Sequence, residues 1–220
     1  MQTPDQLGAV EGIRGMQMRA LPIALGSGAI IVMVGLGLSS ARPQTANTLR
    51  SVTEYSTIGD VKERAIALFN EAGKVILNPR CVNCHPAGDR PRQGDDGHPH
   101  QPLVVRGMGG FGAIGMHCTT CHGPENFDPG RVPGHPLWHL APIEMAWVDK
   151  SLGEICEQIK DPKRNGGKSL DEIVHHMGED SLVGWGWHPG VGRAPVPGTQ
   201  QEFGALIKAW VEAGADCPSP

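Results

Sequence analysis

The chain is short of large side chains. Five Trp, four Phe and one Tyr are all its aromatics in 220 residues, and apolar residues make up only 39%. That is little with which to fill a core unaided. A charge bias is missing too. Nineteen Lys and Arg stand against 23 Asp and Glu, for a net charge of −4, so there is no basic footprint for nucleic acid. Long uninterrupted helical patterns are absent, because Gly at 31 and Pro at 19 break the chain often. Their usage is about twice the average, which excludes a coiled coil or a bundle of long helices. No segment alternates convincingly as a strand, and residues 86–150, rich in Gly, Pro, His and charge, read as loop. The missing bulk points to a bound group that brings apolar surface of its own.

What is present begins with an address. Residues 21–38 (LPIALGSGAIIVMVGLGL) are uncharged and apolar, preceded by Arg14 and Arg19 and followed by Ser39-Ser40-Ala41. Positive flank, apolar run and small-residue exit read as an export signal. Residues 1–41 are therefore expected as a signal peptide or an N-terminal membrane anchor, with any membrane contact made through 21–38. Residues 42–59 are polar and aperiodic and read as a linker. Residues 60–220 are then the working domain. Asp60 with Glu63 opens a helix whose stripe is Val61, Ala65, Leu68, Phe69, Ala72 and Ile76. Three further starts carry the Ser/Thr-x-x-Glu capping signature: Ser151/Glu154, Ser169/Glu172 and Thr199/Glu202.

The chemistry sits in two pentapeptides, Cys81-Val82-Asn83-Cys84-His85 and Cys118-Thr119-Thr120-Cys121-His122. C-x-x-C-H is the attachment signature of c-type haem. Two thiols three residues apart on a turn can each bond one vinyl-derived carbon of the same porphyrin, and the next residue offers its imidazole to the iron. Zinc would use the four Cys, but the gap between the pairs is far longer than zinc pairs use, and zinc gives no reason for the His after each pair. A redox dithiol would need a strand-to-helix setting that neither motif has. The expected cofactors are two haem c, with His85 and His122 as proximal ligands.

On these motifs the sequence resembles periplasmic di-haem c-type cytochromes. More loosely, the stretch from His85 to Pro218 resembles the small cytochromes that accompany molybdenum hydroxylases of the isoquinoline-oxidoreductase type. The resemblance implies an all-α, cytochrome-c-like fold of short helices and long loops around the haems. It implies electron transfer in the periplasm, soluble or tethered to the outer face of the cytoplasmic membrane. The partners would be redox proteins, such as a periplasmic or membrane oxidoreductase complex. A di-haem enzyme such as a peroxidase, with one open iron, and a haem-wiring subunit are the alternatives. Only a short segment separates His85 from Cys118, so one domain sharing both haems is expected rather than two beads.

Each iron needs a sixth ligand or an open face. For the first haem the nearest candidates are His100 and His98 in GDDGHPHQP, followed by Met108, Met116 and His117. For the second, His176 and Met177 on the Ser169 helix lead, with His139 behind. His176 sits at the edge of the stripe Leu170, Ile173, Val174 and Met177. Trp185 and Trp187 are candidates to wall a haem, while Trp210 belongs to a helix stripe. Cys156 and Cys217 remain, and in an oxidising compartment an even remainder usually pairs, with a thiolate iron ligand, free thiols or a bond to a partner chain as the alternatives.

Overall fold

Local capping chemistry sets the helices of this computed structural model, which describes residues 47–220. The export segment and the first part of the expected linker lie outside the described residues. Asp60 accepts the Glu63 amide and opens α1 (Val61–Ile76). Asn78 accepts the Arg80 amide and opens the short α2 (Pro79–Val82), with Pro where a helix has no use for an amide. Reciprocal capping boxes start α3 (Leu152–Lys160) at Ser151/Glu154 and α4 (Leu170–Glu179) at Ser169/Glu172. Asp180 then accepts the Leu182 and Val183 amides to begin α5 (Ser181–Gly184). Thr199/Glu202 begins α6 (Gln200–Glu212). Each such cap satisfies amides that a helix start leaves orphaned, typically worth about 1 kcal/mol.

Packing centres on α6, which lies against both α1 and α4. On one side Phe69 of α1 meets Trp210 with ring centroids 4.8 Å apart. Both are fully buried, and the Trp210 indole donates to the Asp216 carbonyl at 2.9 Å. On the other side α6 meets α4 where Gly204 faces Gly178. Cys156 and Cys217 are bonded, with Cα atoms 5.7 Å apart. Their bond ties α3 to the chain end.

The all-α, cytochrome-c-like class expected from the sequence does not hold. Helix accounts for 43% of the described residues, and the stretch read as loop carries two small antiparallel pairs, so the class is mixed. β1 (Arg92–Gln93) pairs with β2 (His98–Pro99), and β3 (Gly112–Ala113) with β4 (Met116–His117). Gly94, Gly97, Gly112 and Gly115 take positive φ there, which turns the chain back so tightly that a strand lasts two residues. Two residues give no alternation to read.

In the polar segment expected as a linker, Leu49 and Tyr55 are buried while most other residues are exposed. Val52–Tyr55 form a 3-10 turn that seats Tyr55 beside α1. The Tyr55 hydroxyl donates to Glu71 at 3.0 Å, the Arg50 amide at 2.9 Å and the Lys74 ammonium at 2.6 Å. Burial pushes the Glu71 carboxyl up, but these three donors outweigh it and hold the group below the usual carboxylate range. Among the described residues no helix is long and apolar enough to cross a membrane.

Candidate cofactor sites

The first motif is positioned by α1. That helix runs into the Asn78 cap, so Cys81 falls inside α2, and Cys84 and His85 follow on its closing turn. His85 Nδ1 lies 2.7 Å from the Met145 carbonyl. A carbonyl only accepts, so Nδ1 carries the proton and Nε2 is the bare nitrogen. Trp147 stacks on the same imidazole, with centroids 3.6 Å apart and planes 10° from parallel. Its amide donates to the His85 carbonyl at 2.9 Å, which closes the unit. Burial pulls His85 down to about 4, so the ring is neutral at pH 7.

The second motif repeats this build. It follows β4 on the 3-10 turn Cys118–Thr120. His122 Nδ1 lies 2.7 Å from the Pro133 carbonyl. Trp138 stacks on the ring, with centroids 4.8 Å apart and planes at 16°. Burial lowers this His too. Each motif thus presents an imidazole whose tautomer and plane are both fixed, the arrangement that metal-ligating His residues ordinarily have.

Cys81, Cys84 and His85 line one cavity with about 1080 Å³ of empty space, its open mouth included. Ile76, Met145, Trp147, Trp185 and Phe203 wall it, and α4 presents His176 and Met177 to it. His176 Nδ1 is 3.5 Å from Asp180 Oδ2. The sequence places His176 over the second motif; in the structure His176 and Met177 line the cavity of the first. The cause is the chain of packing. α1 leads directly into Cys81, α6 lies on α1, and α4 lies on α6, so the α4 stripe must face the first motif.

His100 likewise lies by the other motif. Expected over the first motif, it lies beside the second, with ring centroids of His100 and His122 6.0 Å apart and planes at 65°. The β1–β2 hairpin explains this. Asn83 holds it through bonds to Gly94 and Arg92, so the hairpin backs onto the first motif and its far end reaches the second. His100 Nδ1 meets the Pro102 carbonyl at 3.0 Å, which again leaves Nε2 bare. His98, the runner-up, has both ring nitrogens engaged, by Asp96 at 2.6 Å and Gln93 at 3.0 Å. Met108, Met116 and His117 are exposed. His139 lines the first cavity and stacks on Phe111. Trp185 lines that cavity as expected; Trp187 packs on Phe203 instead.

The residues around the first motif fit a porphyrin. In the first cavity the walls are largely apolar, and two buried donors on them, Arg80 Nε and Trp147 Nε1, have no partner, as suits the carboxylate arms of such a group. The four motif Cys are free. Burial pushes the Cys81 thiol up to about 12 and Cys84 to about 11, the nearby Cys118 adding to the latter. Neither is the low-pKa thiolate that a redox dithiol needs. Among the described residues no three His, Cys, Asp or Glu side chains gather as a bare metal ion requires.

Sequence reasoning missed Trp138, Trp147 and the two carbonyls that hold the imidazoles. Backbone acceptors leave no trace in residue identity; the clustering of four of the five Trp between 138 and 187 was the available signal. No protein-family model, curated protein or solved structure matches this chain.

Proposed function

We propose that the chain is a di-haem c-type cytochrome that passes electrons between redox partners in the periplasm, free or tethered to the outer face of the cytoplasmic membrane. The observation that carries this reading is the shared build of the two motifs. Each has two free Cys, a neutral imidazole with Nδ1 held by a carbonyl, and a second imidazole nearby. The bound group would supply a one-electron iron couple; the protein supplies ligands, burial and orientation.

Cys81, Cys84 and His85 would hold one haem with His176 as the sixth ligand. Cys118, Cys121 and His122 would hold the other with His100. The His100 and His122 ring centroids lie 6.0 Å apart, so one iron could be held by both imidazoles. Asp180 fixes His176 from behind, and the Pro102 carbonyl does the same for His100. Two imidazoles per iron give a lower potential than a His/Met pair and leave no open face for substrate, which favours a carrier over a peroxidase. The test is intact mass after acid extraction of the exported protein. Two haem additions per chain support the reading; one or none overturns it.

A further inference from the structure

Trp138 belongs to both sites. Its ring stacks on His122 of the second motif, and the same residue lines the cavity that holds Cys81, Cys84 and His85. It is braced edge-on by Trp185, with centroids 4.9 Å apart and planes at 85°, and Trp185 is another wall of that cavity. The bracing is itself fixed. The Trp185 indole donates to Asn126 Oδ1 at 2.9 Å, and the same oxygen accepts the Gly134 amide at 3.0 Å. Gly134 follows Pro133, whose carbonyl holds His122. One network therefore sets the height and the plane of the His122 imidazole and a wall of the other site.

We propose that Trp138 is a positioning residue common to the two haems, locking the His122 ring plane with one face while shaping the first haem's surroundings. This rests on the di-haem reading above. An indole stacked on the imidazole resists rotation about the ring's bond to iron, because turning the ring would break face-to-face contact over its whole area. The 65° angle between His100 and His122 is then held by Trp138 on one side and by the Pro102 carbonyl behind His100 on the other. Spectroscopy of low-spin iron reads that angle directly, since the anisotropy of its resonance follows the mutual orientation of the two ligand planes.

Haem content of the wild-type chain is measured first. Fewer than two haems overturns the functional reading, and this inference with it. With two present, oxidised wild type, Trp138→Leu and Trp138→Phe are compared by low-temperature electron paramagnetic resonance and redox titration. The signals are assigned with His100→Ala and His176→Ala. Trp138→Leu is expected to shift the signals and midpoint potentials of both haems. Trp138→Phe keeps an aromatic face on His122 but shortens the wall, so the His122 haem should stay as in wild type and the His85 haem should shift. A role in folding alone would lower the melting temperature and leave every signal in place. If Trp138→Leu moves one haem or neither, or if Trp138→Phe leaves the His85 haem unmoved, the inference is wrong. Should Trp138→Leu fail to fold, the Trp138→Phe result decides.

Discussion

Gly178 of α4 and Gly204 of α6 meet backbone to backbone: a Cβ on Gly204 would stand 2.6 Å from the Gly178 Cα. Nothing at that contact is the flexible end of a side chain, so an added methyl can be housed only by moving a helix. Since α4 carries His176 and Met177, this crossing sets where the distal wall of the first cavity lies.

Gly204→Ala should therefore destabilise the protein even though Ala is the better helix former. The propensity gain is about 1 kcal/mol, whereas overpacking a tight contact costs about 1–3 kcal/mol. The net expected loss is about 1 kcal/mol, read as a lower melting temperature. On the di-haem reading, the absorption bands of the group proposed at Cys81 and Cys84 should shift at the same time, because α4 moves. A variant as stable as wild type would show that the crossing is looser than drawn.

The bond between Cys156 and Cys217 spans 61 residues of sequence. For a loop of that length the chain-entropy account gives about 4 kcal/mol of stabilisation. The double variant Cys156→Ala/Cys217→Ser should lose stability of that order in urea unfolding, with both haems still attached. Recovery of either Cys as a free thiol in the native wild-type protein would contradict the pairing.

Glu71 makes a pH prediction whose sign is fixed. Its folded-state pKa lies below the ordinary value, because the donors from Lys74, Arg50 and Tyr55 outweigh burial. A carboxyl depressed by folding adds stability above its unfolded pKa and loses it as pH falls through the folded one. From neutral pH down through the carboxylate range, wild type should lose stability more steeply than Glu71→Gln. Parallel curves would mean that the segment from Arg50 to Tyr55 does not depend on this charge.

How much was legible follows from how local each signal is. Asp60, Ser151, Ser169 and Thr199 all start helices as read, because a cap is written within four residues. The Cys156–Cys217 pair was legible by elimination. The two hairpins were not, since Gly94, Gly97, Gly112 and Gly115 encode turns while strands of two residues encode no period. Tyr55 and Leu49 are buried within a segment whose average is polar, so its docking on α1 escaped notice. Which of His100 and His176 lies by which motif was beyond reach. It depends on the Gly178–Gly204 crossing and on the Asn83 bonds to the β1–β2 hairpin, both of them long-range contacts.

That crossed assignment is the sharpest thing to test. Chain order pairs His100 with the first motif and His176 with the second; the cavity and the ring geometry pair them the other way. A variant carrying Cys118→Ser and Cys121→Ser should retain only the haem at Cys81 and Cys84. In that background His176→Ala should turn the remaining haem high-spin at neutral pH, because the residue that shares its cavity is gone. His100→Ala should leave it low-spin, since His100 lies against His122 instead. The reciprocal background, Cys81→Ser with Cys84→Ser, should reverse the two outcomes. Met177→Ala serves as the control on α4. Met177 is nearly fully buried among Ile173, Phe203 and their neighbours, so its loss should lower the melting temperature and leave the spin state alone. A high-spin haem in Met177→Ala with a low-spin one in His176→Ala would move the ligand one residue along the helix. A spin change on His100→Ala in the first background would restore the chain-order pairing.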